Sequence, residues 1–203
     1  MSGLQKGEQR GNRGNVGAPG EALLFFRGFL RHPNMVGWLL PSSRFVIDGV
    51  LKGVDWREAR LIVEYGPGLG NFTARILERM RRDAKLIVLD TNPEFISYLN
   101  NTFSDPRLRV LQRSAADIDA VLSKLGCQHA DCVISGIPFK TIPHEMRALI
   151  IRKTHSILRP GGRFLVYQFS NAVLPYLEAS FGKVECDCEL LNLVPTRLYF
   201  CRR

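Results

Sequence analysis

The sequence predicts an α/β fold: a mostly parallel, seven-stranded sheet covered by helices on both faces, ending in an antiparallel hairpin and preceded by an N-terminal helical extension. Three observations predict it. From residue 61 onward, short apolar runs alternate with helical stretches, the βαβ rhythm that lays strands side by side with crossover helices above and below. A glycine-rich turn follows the first run and opens the first of those helices. Near the end, two strand-like stretches follow one another with only a short turn between them, which changes the pairing from parallel to antiparallel.

Each element follows in order. Residues 1–19, MSGLQKGEQRGNRGNVGAP, are rich in Gly, Asn and charge. They carry too little apolar surface to offset chain entropy, so a disordered tail is expected. Residues 20–58 form a helical segment expected to interact with a membrane. It opens with Leu23, Leu24, Phe25, Phe26, Phe29 and Leu30, beside Arg27, Arg31 and His32. Pro33 interrupts or ends that helix. Ser42 or Ser43, after Pro41, caps a second helix that reaches Val50. At a membrane interface such a segment buries its apolar face among acyl chains while each cation gains about 1 kcal/mol from anionic headgroups. Trp38 suits the headgroup level. A core helix packed on the sheet fits the same pattern.

The core is expected over residues 59–203. Buried strands are predicted at 61–65 (LIVEY), 86–90 (LIVLD), 108–112 (LRVLQ), 131–135 (DCVIS) and 163–169 (RFLVYQF), with helices at 71–82, 93–102, 116–125 and 143–158. KVECDCELLN and TRLYFCRR supply the hairpin, with a turn at Val194-Pro195.

A chain of 203 residues that is 45% hydrophobic builds one sizeable core. Its formal charge of +9 favours anionic partners: nucleic acid, anionic lipid or an acidic ligand. The five cysteines, Cys127, Cys132, Cys186, Cys188 and Cys201, include no C-x-x-C pair. They are expected to be reduced thiols of a cytoplasmic protein, mostly in the core or on strands. No apolar run approaches the roughly 18 to 20 residues of a membrane span. Contact with a membrane is therefore expected at its surface.

The glycine turn reads Glu64-Tyr65-Gly66-Pro67-Gly68-Leu69-Gly70. Backbone N–H groups and the positive end of the helix that follows favour negative groups, and glycine permits positive φ and a close ligand approach. Nicotinamide and flavin sites share that architecture. Three details narrow the ligand. A carboxylate at Glu64 repels a pyrophosphate and welcomes an ammonium. Asp90 ends the next strand 20 residues after Gly70, where an acid binds ribose hydroxyls. Asp117, in RSAADI after the third strand, is placed to accept from an adenine amine. Together they suit a nucleoside with an amino-acid tail, the shape of S-adenosyl-L-methionine.

In this order, VEYGPGLGNFT, VLDTNPEF, SAADI and LRPGGRFLVY resemble the class I S-adenosylmethionine-dependent methyltransferases. The resemblance covers residues 60–203 or thereabouts and implies a Rossmann-like sheet and that cofactor. It maps cofactor contacts onto Glu64, Gly66, Gly68, Gly70, Asp90, Ala116 and Asp117, with Thr91 and Ser135 beside them.

The strand DCVIS ends where the transferred methyl points. Methyltransferases acting on nucleobase amines carry Asn or Asp there, then an apolar residue or Pro, then Pro-Tyr or Pro-Phe; the polar side chain grips the amine. Here the place holds Gly136-Ile137-Pro138-Phe139, without a gripping side chain. The rest resembles an rRNA adenine dimethyltransferase, but the sequence ends after the hairpin and that family's extra RNA-contacting domain is not expected. FFRGFLRHPNMVGWLLPSSR, SGIPF and LNLVPTRLYFCRR together are more similar to the bacterial phospholipid N-methyltransferases. That resemblance implies conversion of phosphatidylethanolamine towards phosphatidylcholine; related enzymes methylate ornithine lipids. It also implies a phospholipid substrate, an anionic membrane surface as partner, no nucleic acid, no metal and a cytoplasmic protein held peripherally at the inner membrane. Oligomeric state stays open.

The chemistry asks the protein to align amine, methyl and sulfur and to exclude water. The amine must be neutral; with a pKa of roughly 10 its deprotonation at pH 7 costs about 4 kcal/mol, and desolvation beside a sulfonium reduces that cost. Tyr65 and Ser135 are expected to orient the amine, Phe139 and Tyr167 to face the cationic product, and Arg197 to hold the lipid phosphate. His144 is a remote candidate base. A nucleic-acid or small-molecule methyltransferase and a non-catalytic cofactor- or lipid-binding module are the other function classes open at this stage.

Overall fold

In the computed structural model described here, residues 43–190 and 195–203 are placed; the expected tail, the segment at 20–42 and the turn at Val194 lie outside them. Runs such as Leu61-Ile62-Val63 are continuous and apolar because a parallel strand is covered on both faces. They form β1 (Leu61–Tyr65), β2 (Lys85–Asp90), β3 (Leu108–Gln112), β4 (Ala130–Ser135) and β5 (Leu158–Gln168), followed by β6 (Val184–Glu189) and β7 (Thr196–Arg202). The seven-stranded sheet has the order β3-β2-β1-β4-β5-β7-β6. β1 to β5 pair in parallel, and β7 pairs antiparallel with both β5 and β6. This is the Rossmann-like architecture predicted above.

Six α-helices are described: α1 (Arg44–Leu51), α2 (Asn71–Arg79), α3 (Pro93–Thr102), α4 (Ile118–Lys124), α5 (His144–Ile157) and α6 (Leu174–Phe181). Alternation along the strands divides the core into two clusters. Ile62, Leu86, Val88, Ile134, Leu165 and Leu198 pack with α1, α2 and α3. Val63, Tyr65, Val133, Phe164, Val166 and Tyr199 face α4, α5 and α6.

Ser43 caps α1, its hydroxyl accepting from the Val46 N–H. The helix buries Val46, Ile47, Val50 and Leu51, each worth about 1.5 to 3 kcal/mol. These four, expected within the N-terminal membrane segment, thus face the sheet, while Phe45 beside them is exposed. α6 was not anticipated: Pro175 in LPYLEASF reads as a breaker, yet it sits in the first turn, where the missing N–H costs nothing. β5 begins at Leu158, earlier than predicted, because Leu158 pairs with Ala130 across a register shift before the regular pairing from Cys132–Arg163 onward. All five cysteines are free; Cys132 and Cys201 are buried, and Cys186 and Cys188 are exposed on the edge strand β6. Among the described residues no helix is long and apolar enough to cross a membrane.

Candidate active site

In a doubly wound sheet, ligands bind beyond the carboxyl ends of the strands, at the point where strand order reverses. Here that point lies between β1 and β4. From β1 the chain enters α2 through three glycines with φ of 65° at Gly66, 55° at Gly68 and 79° at Gly70. All three were expected to admit a ligand, but they have different neighbours. A Cβ on Gly70 would lie 2.6 Å from the Phe103 ring and 2.7 Å from Leu99, so this glycine lets α2 start against α3. A Cβ on Gly66 would meet the Ile137 nitrogen at 3.4 Å, so this one seats the turn after β1 on the turn after β4. Of the three, only at Gly68 would a Cβ meet nothing within 4 Å among the described residues, which leaves the backbone open for a ligand.

Glu64 is 2% exposed. Thr73, in the first turn of α2, donates its hydroxyl to Glu64 Oε2 at 2.6 Å. Glu64 Oε1 is buried without a partner, alone in this among the side-chain nitrogens and oxygens of the described residues. Burial, with a contribution from nearby Asp90, raises the carboxyl to about 7 against the pull of the Thr73 bond. An unpaired buried oxygen costs about 1 to 3 kcal/mol. It marks a missing donor, and an ammonium supplies both the donor and the compensating charge. The site therefore fits the amino-acid end of S-adenosylmethionine.

The neighbouring turns fit the rest of that molecule. Asp90 ends β2 and accepts from the Asn92 N–H at 2.8 Å. Its carboxyl is raised by burial, against backbone hydrogen bonds from Asn92 and Thr91 that pull it down. Thr91 follows it, exposed. After β3, Ser114 holds the next turn: its Oγ accepts from the Ala116 N–H at 3.1 Å and its carbonyl from the Asp117 N–H at 3.0 Å. Ala116 is buried and Asp117 exposed.

The expected catalytic residues are not brought to this site. Tyr65 is fully buried on the α5 side, within 3.3 Å of the Thr154 hydroxyl, and burial drives its phenol far above the usual range. Ser135 shares that face; its Oγ accepts from the Ile137 N–H at 3.3 Å and holds the turn. The Phe139 ring is fully buried in the same cluster. Arg197 pairs in register with Gln168, on the sheet face opposite Tyr167, so these two do not converge on one headgroup.

Other residues do converge. Tyr167 lies on the Glu64 face, half-buried, with its ring stacked on Phe72 at 4.5 Å and 11°. Gln168 clamps the turn after β4: its Nε2 donates to the carbonyls of Ile137 at 2.6 Å and Tyr167 at 2.7 Å, and its Oε1 accepts from the Phe139 N–H at 3.2 Å. Phe72, Thr73 and Gln168 escaped the sequence-based expectations. Thr73 alone had a signal, a hydroxyl one helical turn after the last glycine and facing a buried acid.

Comparisons with known proteins bear on the family and the fold. A family model described as a methyltransferase domain matches residues 62–162. The chain is 30% identical over 181 residues to an ornithine lipid N-methyltransferase of Singulisphaera acidiphila, covering 88% of this chain and 94% of that protein. It is 27% identical over 155 residues to the ubiquinone/menaquinone biosynthesis C-methyltransferase UbiE of Brucella anthropi, spanning 73% of this chain and 51% of that one. Among solved structures, the N-methyltransferase NodS from Bradyrhizobium japonicum, in complex with S-adenosyl-L-homocysteine, superposes with a TM-score of 0.64 at 14% identity, covering 82% of this chain and 91% of that one. The precorrin-6y C5,15-methyltransferase from Geobacter metallireducens gives 0.65 at 14% identity, over 81% and 92%. With a cofactor-shaped set of turns, a buried acid awaiting a cation and a relative matched along nearly its whole length, the chain belongs to the class I S-adenosylmethionine-dependent methyltransferases.

Proposed function

We propose that the protein N-methylates the headgroup amine of a membrane lipid. The observation that carries this reading is the similarity to an ornithine lipid N-methyltransferase over 94% of that protein. Ornithine lipid is the first headgroup to test, and phosphatidylethanolamine, on the resemblance read from the sequence, the second.

The distribution of exposed apolar residues supports a lipid. Among the described residues five large hydrophobics are exposed: Phe45, Met146, Phe169 and Leu190, with Leu125 apart from them at the end of α4. Phe169 follows β5, Leu190 follows β6, and Met146 lies in the first turn of α5 after β4. Phe45 is at the start of α1; Gly49 within that helix approaches Leu198, and Gly53 just after it approaches Leu165 and Phe200, so the helix starts near the carboxyl end of β5. These four lie towards the carboxyl end of the parallel strands, the end that carries the candidate active site, where apolar side chains suit a surface that dips into acyl chains.

S-adenosylmethionine, when bound, supplies an already activated methyl group. Glu64 would hold the cofactor's ammonium and Asp90 its ribose, while Gln168 ties the β4 turn to β5. That methyl would be taken by the lone pair of the substrate nitrogen, which the site has only to orient and keep from water. The proton lost by the amine passes to solvent. The test is incubation with methyl-labelled S-adenosylmethionine and vesicles holding ornithine lipid, vesicles holding phosphatidylethanolamine, or RNA. Label extracted with either lipid supports the function; label in RNA alone, or in nothing, refutes it.

A further inference from the structure

We propose that the Tyr167 hydroxyl grips the substrate nitrogen, in place of the polar side chain that position 136 lacks. This rests on the amine methylation proposed above and names the residue that performs its recognition step.

The pairing of Ser135 with Val166 sets Gly136, the next residue after β4, beside Tyr167 on β5. A Cβ built on Gly136 would lie 2.2 Å from the Tyr167 hydroxyl oxygen, 2.7 Å from the ring carbon that bears it and 3.0 Å from the Gly66 carbonyl oxygen. The end of the phenol therefore fills the volume into which a side chain at 136 would grow. Gly136 is not simply a gripping residue lost. It is the residue that the neighbouring strand's tyrosine requires.

The phenol is held in place before any substrate arrives. Phe72, 2% exposed, stacks on its ring. The Gln168 amide ties the Tyr167 carbonyl to the Ile137 carbonyl, so the tyrosine and the β4 turn move as one unit. The Gly66 carbonyl, at the start of the cofactor turn, borders the same volume, 3.0 Å from where a Cβ on Gly136 would stand. A phenol both donates and accepts. By accepting an N–H from the neutral amine it turns the nitrogen lone pair towards the incoming methyl, which is orientation rather than proton abstraction. A donor-only group, or a ring without the oxygen, does not do this.

The experiment uses the full chain, the lipid amine that the labelling assay identifies, and three variants. Tyr167→Phe is expected to lower kcat for that lipid by roughly ten- to a hundredfold, the loss of one substrate hydrogen bond, with S-adenosylhomocysteine affinity by calorimetry and the melting temperature unchanged. Gly136→Asn alone is expected to abolish transfer, because the added side chain meets the phenol. Tyr167→Ala combined with Gly136→Asn is expected to recover at least tenfold over Tyr167→Ala, because the carboxamide then takes the vacated place. A Tyr167→Phe protein as fast as the wild type overturns the proposal. So does one that loses S-adenosylhomocysteine affinity and melting temperature along with kcat, since the hydroxyl then only supports the fold. Wild-type protein that labels no lipid amine overturns the function beneath the proposal, and is recognised before any variant is compared.

Discussion

The two ends of the parallel sheet are built on opposite rules. At the amino end, polar groups are matched. Asp131 Oδ2 accepts from the backbone N–H groups of Arg60 and Leu61, both at 2.8 Å, and its other oxygen takes the Arg159 guanidinium. Arg107 donates to the carbonyls of Leu77, Met80 and Arg81 at the end of α2 while pairing with Asp105. At the carboxyl end stand three glycines with positive φ, a buried carboxylate oxygen without a partner and a rim of exposed apolar side chains. The difference teaches where stability has been given up. One end closes the fold, and the other is left incomplete in the way a bound cofactor would complete.

Variants break or sharpen that contrast. The largest effect is expected at Gly70, the glycine of the carboxyl end that serves the fold. Gly70→Ala combines a left-handed backbone with a clash against Phe103 and Leu99, and should cost about 2 to 4 kcal/mol in denaturant unfolding. Gly68→Ala, facing open space, should cost no more than about 2 kcal/mol and show its main effect in calorimetry as weaker cofactor binding. At the amino end, Asp131→Ala strands three donors and should lose about 2 kcal/mol of stability, with cofactor affinity intact. Equal losses of affinity from Asp131→Ala and Gly68→Ala would erase the contrast.

Glu64→Gln should do the reverse of Asp131→Ala: stability held or raised at pH 8, and S-adenosylmethionine affinity reduced by about 1 to 3 kcal/mol. A pH profile gives the finest test. The folded-state value of Glu64, about 7, lies above its unfolded value of 4.5. Its contribution is therefore fully present below about pH 4.5 and is lost as pH rises through about 7. Without cofactor, the wild type should lose stability relative to Glu64→Gln across that window, and saturating S-adenosylmethionine should flatten the difference.

Much of this fold was legible because apolar runs and glycine punctuation agree. The strands at 61–65 and 108–112 and the helix at 93–102 fall where the pattern places them. The Asn92 side chain caps that helix by accepting from the Glu94 N–H, and Pro93 occupies its first position. α2 stops at Arg79, earlier than expected, because Met80 turns extended with ψ of 153°. The cofactor end of the site was legible for the same reason: its residues sit at fixed offsets from the glycines. The substrate end was not. Neighbouring residues on a strand face opposite sides, so the side chains of Glu64 and Tyr65 cannot enter one pocket, and Gln168 supports the face that Tyr167 lines only through the backbone of the β4 turn. Which face holds the site depends on the side that α2 covers, and that is set by packing. Nor does a missing side chain at 136 reveal that a tyrosine on the next strand fills its place.

The account turns on Glu64 as the seat of the cofactor's ammonium. Calorimetric titration of S-adenosylmethionine at about pH 6.5, in two buffers of different ionisation enthalpy, measures the proton exchanged on binding. A cation arriving at a carboxyl that titrates near 7 lowers its pKa, so the wild type should release most of one proton, and Glu64→Gln should release none. Binding by the wild type without proton release, or equal release by both proteins, would contradict it.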